Sequence, residues 1–103
     1  MEEKTYTFEE SLNRALGQKG EPLRDEYENE MKSFLIGESI RKARQAKELT
    51  QEQLGELMGV KRAQVCRIEK GRNLSLSTIA RAFKAMGINA TFDMGKFGKV
   101  ALW

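Results

Sequence analysis

The stretch TQEQLGELMGVKRAQVCRIEKG, residues 50–71, constrains the fold more tightly than any other part of the chain. Thr50 is suited to cap a helix that runs through Met58. Gly59 then stops it, because glycine accepts the positive φ that turns a chain sharply. A second helix spans Lys61 to Lys70 and ends at Gly71, a candidate left-handed C-cap. Gly55 is small where the two helices would cross closely. Val65 and Ile68 lie three residues apart, so one side of the second helix is apolar and turns inward. At about 100° per residue, Ala63, Cys66, Arg67 and Lys70 fall on the opposite side, with Arg62 on its flank. The outward face is therefore small, basic and able to donate hydrogen bonds.

The rest of the chain gives that face its setting. The 103 residues suffice for one domain plus extensions, with a core modest enough for oligomerisation to add burial. The absence of His removes the commonest general base and metal ligand. With no glycine-rich phosphate loop and no zinc spacing either, the sequence predicts neither an enzyme nor a bound metal or cofactor. One Cys excludes an intrachain disulfide and suits a reducing compartment. No run is long and apolar enough for a membrane span, and Met1-Glu2-Glu3 is no signal peptide, so a cytoplasmic protein is expected. Cys66, beside the basic face, reads as a small neutral filler before it reads as a redox sensor.

The net charge of +3 conceals an asymmetry. Residues 1–35 hold five Lys/Arg against nine Asp/Glu, whereas residues 36–103 hold thirteen against six. An acidic front on a basic body implies two surfaces with different partners, or uneven but merely solvated helix faces. Thr7-Phe8-Glu9-Glu10 has capping-box spacing and opens a helix lined by Phe8, Leu12, Ala15 and Leu16 that ends at Gly17. Pro22 suits the first turn of the next helix, with Leu23, Tyr27, Met31 and Phe34 or Leu35 along one side, facing either the core or a dimer partner. A separate helix is expected from Gly37 to Glu48, with Ile40 and Ala43 inward. After the paired helices, LSLSTIARAFKAMG forms another, with Ser77 near its start, Ile79, Phe83 and Met86 inward, and Gly87 closing it. The period then changes to two: Ile88, Ala90, Phe92 and Met94 alternate with polar residues in a half-buried strand, GKFG turns, and KVALW can return as a second strand. An isolated hairpin is marginal in water, so it is expected to pair with a second copy or lie on a neighbour.

A small basic helix face can enter the DNA major groove, where Arg and Lys donate to guanine and a methyl touches thymine. The stretch LTQEQLGELMGVKRAQVCRIEKG resembles the helix–turn–helix of the lambda-repressor-like, or XRE, family, and the likeness extends from about Phe34 to Ile88. It implies a mainly α fold: a five-helix DNA-binding domain over residues 34–88, an acidic helical extension over 1–33, and a β-strand or hairpin over 89–103 that serves dimerisation. Carried onto this sequence, the resemblance makes Lys61, Arg62, Ala63 and Arg67 the base-contacting residues. Thr50 and Gln51 would grip a phosphate at their helix start. Gln64, Lys70, Arg72 and Asn73 would make further backbone contacts. It also pairs Arg44 with Glu69 as a structural link that orients the recognition helix. Lys61 departs from the family pattern, which often has a capping Ser or Thr there; the cap is weakened and a basic reader gained.

The outer segments carry looser likenesses. The strand and terminal Trp103 resemble HipB-type antitoxins, whose strands pair across a dimer. The leader GEPLRDEYENEMKSFLIGESIRKAR resembles HigA-type antitoxins, partners of basic RelE-like toxins. The implied protein is a homodimeric repressor of a palindromic operator, the antitoxin of a type II toxin–antitoxin system that autoregulates its operon. A stand-alone XRE-type repressor without a toxin is the alternative.

Overall fold

A computed structural model describes residues 7–72 and 74–103. Five α-helices run through them: α1 (Phe8–Leu16), α2 (Pro22–Ala46), α3 (Gln51–Met58), α4 (Arg62–Glu69) and α5 (Leu76–Ala85). A hairpin of β1 (Thr91–Asp93) and β2 (Lys99–Ala101) follows. The fold is mainly α, with two compact units that divide between Lys32 and Ser33.

The first unit contains α1 and the opening of α2. Thr7 Oγ1 accepts from the Glu10 amide at 3.1 Å and so caps α1. Its one buried side chain, among the described residues, is charged: Arg24 is fully enclosed. Arg24 Nη1 donates to Asn13 Oδ1 and, at 3.1 Å, to the Gly17 carbonyl. Its Nε donates to Glu28 Oε1 at 3.1 Å, and Nη2 lies 3.5 Å from Glu9 Oε1. One guanidinium thereby ties α1, its terminating glycine and α2 together. Five donors in a rigid fork make Arg suited to that role. The apolar stripe read from the sequence is not what holds this unit: Leu23 is 56% exposed and Met31 also lies open.

The second unit contains the hydrophobic core. Ile40 from α2, Leu54 and Met58 from α3, Val65 and Ile68 from α4, and Ala82 and Met86 at α5 and its end are buried together. Ala43, Leu49, Val60, Leu74, Phe83, Ala85 and Ile88 pack around them. Ser75 caps α5, its Oγ accepting from the Thr78 amide at 3.1 Å, and Ser77 lies in the first turn as expected. The hairpin pairs Phe92 with Val100 in antiparallel register, and Gly95–Phe97 forms a 3₁₀ turn between the strands. Trp103 Nε1 donates to the Ile88 carbonyl at 2.7 Å and ties the end of the chain back to the approach of β1. Every strand residue is exposed, with Phe92 at 46% and Val100 at 50%.

The expected break at Gly37 is absent. Residues 22–46 form one helix of 25 residues, with Gly37 in its interior. A glycine costs a helix only about 1 kcal/mol relative to alanine, and here it permits a contact that no other residue allows. A Cβ at position 37 would stand 2.7 Å from the Ile68 and Glu69 carbonyl oxygens and from the Gly71 amide nitrogen. Gly71 (φ +78) answers from the other side, where a Cβ would meet the Ser33 carbonyl at 2.5 Å. The end of α4 thus rests on α2 backbone to backbone. Gly37→Ala should lower the unfolding free energy by about 1–3 kcal/mol through overpacking, outweighing the roughly 1 kcal/mol propensity gain. An unchanged or raised urea midpoint would show that the two helices part without cost.

Candidate nucleic-acid interface

The site is built on α3, the turn and α4. Thr50 closes a full capping box: its Oγ1 accepts from the Gln53 amide at 3.0 Å, and its own amide donates to Gln53 Oε1 at 2.9 Å. Gly59 leaves α3 at φ +74, and the Val60 amide donates to the Gly55 carbonyl at 2.8 Å. Gly55 has to be small because a Cβ there would lie 2.7 Å from the Val60 carbonyl oxygen. The chain then enters α4 at Lys61, whose side chain makes no capping hydrogen bond.

Val65, Ile68 and Glu69 form the buried side of α4. Lys61, Arg62, Ala63, Arg67 and Lys70 are exposed, while Gln64 and Cys66 are half-buried at the edge of that outward face. Arg72 follows, also exposed; Asn73 lies outside the described residues. Thr50 is exposed at the start of α3. A cleft of about 380 Å³ opens between the starts of α3 and α4, lined by Arg44, Thr50, Gln51, Glu52 and Arg62. Arg62 and the α3 start thus share one concavity, and Arg67 stands one to two turns further along α4.

The buried end of α4 is held by charge. Arg44 Nε donates to Glu69 Oε2 at 2.7 Å and Nη2 donates to Oε1 at 3.0 Å, the bidentate geometry that suits a guanidinium and a carboxylate. The Arg44 side chain is 11% exposed and that of Glu69 only 3%. Arg44 Nη1 also donates to the Leu49 carbonyl at 2.8 Å, while the Leu49 amide donates to the Arg44 carbonyl at 3.1 Å. That exchange bridges the turn in which Glu48 takes a left-handed φ of 57°. Gln51 joins the group, its Nε2 donating to Glu69 Oε1 at 3.3 Å. The hydrogen-bonded Glu69 side chain raises the Arg44 pKa above its ordinary value; burial opposes the shift and the charge attraction adds to it. A cation raised from an already high pKa stays protonated in both folded and unfolded chains at working pH. Its stabilisation is therefore complete below the unfolded pKa and is lost only in strong alkali.

Sequence reasoning assigned Gln51 to a phosphate and missed its hydrogen bond to Glu69. It also missed Arg81, whose Nη2 donates to the Met58 carbonyl at 2.7 Å from 23 residues away. A surface arginine on a helix carries no sequence signal for such a bond. Among the described residues no His, Cys, Asp and Glu side chains gather as metal ligands, and no helix is long and apolar enough to cross a membrane.

A family model described as helix-turn-helix matches residues 40–92, about half of the chain. No curated protein matches it.

Breaking the buried pair from one side leaves an uncompensated charge, which costs about 3–5 kcal/mol in such settings. Arg44→Met and Glu69→Gln should each destabilise strongly, and the double variant should lose much less than their sum. Thermal melts of the three variants give the coupling directly; simple additivity would mean that the pair contributes nothing as a pair.

Proposed function

The chain belongs to the helix-turn-helix family of XRE-type DNA-binding transcription regulators, and from that premise we propose that it is a cytoplasmic repressor acting as a homodimer on a palindromic operator. The observation that carries this reading is the outward face of α4. Lys61, Arg62, Ala63 and Arg67 stand exposed on a helix whose other side is buried and whose end is anchored by Glu69. Small and basic, it can approach base edges and donate to guanine acceptors. Thr50, Gln51, Gln64, Lys70, Arg72 and Asn73 are assigned to phosphates, which set register while bases supply specificity. Two such helices would read successive major grooves roughly 34 Å apart in a two-fold site. The exposed C-terminal hairpin, with Phe92 and Val100 uncovered, is the segment assigned to pairing between copies.

Within that role the protein is the antitoxin of a type II toxin–antitoxin system. The support is the acidic N-terminal segment, nine Asp/Glu against five Lys/Arg over residues 1–35, joined to a body with thirteen against six. Acid beside DNA repels phosphate. Against a basic protein such as a RelE-like toxin it steers encounter, and apolar side chains such as Leu23, left uncovered in the first unit, add affinity. A stand-alone repressor remains the second reading, in which the same segment braces a dimer.

Two experiments test these assignments. Arg62→Ala and Arg67→Ala should each weaken binding to a selected operator by about 1–3 kcal/mol and relax base preference, whereas Lys70→Ala should weaken all duplexes evenly. Unchanged operator affinity in both arginine variants would refute the face assignment. Removal of residues 1–32 should abolish neutralisation of a toxin encoded beside this gene while leaving operator binding intact or tighter. A truncated protein that still inhibits that toxin would move the contact to the C-terminal hairpin.

A further inference from the structure

The start of α4 is the part of the outward face with the least local support. Lys61 gives it no side-chain cap, so within the helix only the Gln64 and Val65 amides, donating to the Lys61 carbonyl at 2.9 and 3.3 Å, hold its start. Further support for the turn comes from the α3 side. There, the Gly59 amide donates to the Glu56 and Gly55 carbonyls and the Val60 amide to Gly55, so backbone groups satisfy those two acceptors. The Met58 carbonyl, at the last residue of α3, is taken instead by Arg81 Nη2 at 2.7 Å. Arg81 belongs to α5, whose inner side contributes Ala82 to the core beside Met58. The bond therefore ties the turn to a third helix. Gly55 removes slack beneath, since the Val60 carbonyl oxygen lies only 2.7 Å from where its Cβ would be.

Resting on the DNA-reading proposal above, we infer that Arg81 is a positioning residue for base readout: by holding the Met58 carbonyl it sets the angle at which α4 leaves the turn, and so which base edges Lys61, Arg62 and Ala63 reach. It does so without touching DNA. Because Arg81 is a surface residue, its removal leaves an unpaired carbonyl and no buried charge, so the fold itself has little reason to collapse.

The test uses the full chain and two probes: a duplex selected by the wild-type protein from a randomised pool, and a shuffled duplex of the same composition. Arg81→Met should lose about tenfold in affinity for the selected duplex, as expected for one hydrogen bond from a charged donor. Its affinity for the shuffled duplex should stay within about twofold, because non-specific binding reads phosphates. Arg81→Lys, which keeps a donor on a long stem, should recover most of the selectivity. Circular dichroism at the assay temperature checks folding; if Arg81→Met is unfolded there, Arg81→Gln, too short to span the gap, carries the same comparison. Equal losses on both duplexes would make Arg81 a phosphate contact, and equal retention would make it idle; either overturns the inference. A wild-type protein that selects no duplex overturns the DNA-reading proposal itself. Selection that is indifferent to Arg81 overturns only the positioning role.

Discussion

The bidentate bond between Arg44 and Glu69 is the interaction on which the rest of the interface depends. Glu69 lies at the carboxyl end of α4, where a buried carboxylate faces the negative end of the helix dipole and would be doubly unfavourable alone. Arg44 supplies the compensating charge from α2 and uses its remaining nitrogen to hold the Leu49 carbonyl just before the α3 cap. A single guanidinium thus connects three elements: the helix that carries it, the loop that launches α3, and the end of α4. Gln51 adds a fourth tie from the first residue of α3. The same residue lines the cleft with Thr50, Arg62 and Arg44 itself, so whatever occupies that cleft meets one partner of the pair directly.

Much of the second unit was legible in the sequence because its signals are local or periodic. Thr50 and Gly59 announce the ends of α3 through capping chemistry and left-handed backbone. Val65 and Ile68 announce the buried side of α4 through spacing. The change from a helical to a twofold period at Ile88 locates the hairpin, although the ladder itself covers only Thr91–Asp93 and Lys99–Ala101. What was not legible rests on contacts between residues distant in sequence. The sequence places a helix start near Gly37, yet the helix runs through that glycine. Its reason for being there, contact with the Ile68 and Glu69 carbonyls, comes from another element. No local or periodic signal marks Arg24 or Arg81; only the fold gives one an enclosure and the other a carbonyl. The assignment of individual side chains to bases or phosphates depends on a partner and therefore cannot be read from the chain alone.

The two units are stabilised by different physics. The second buries seven apolar side chains in one cluster, and its stability follows the usual loss of apolar surface to water. The first, in its described residues, encloses a guanidinium and gathers Asn13, Gly17, Glu9 and Glu28 around it. Hydrogen bonds and ion pairs of that kind are directional and contribute modestly in net terms. They fix a shape more than they stabilise it. The corollary is that Phe8, 73% exposed, and Leu23 remain at the surface of a unit whose interior has no use for them.

On α4, the residues that support the fold and the residues assigned to reading DNA do not overlap. Val65, Ile68 and Glu69 are enclosed, and Lys61, Arg62, Ala63 and Arg67 are open to solvent. Substitutions at exposed sites of this kind ordinarily move stability by no more than about 0.5 kcal/mol. The four outward positions can therefore vary almost independently of the scaffold, so a duplicated copy of this chain could drift to a new operator by surface exchange alone. The glycines at 37, 55 and 71, which meet backbone atoms with no room for a Cβ, cannot take part in that drift. In such a lineage they would mark the frame, and the recognition face would carry the history of the sites it has read.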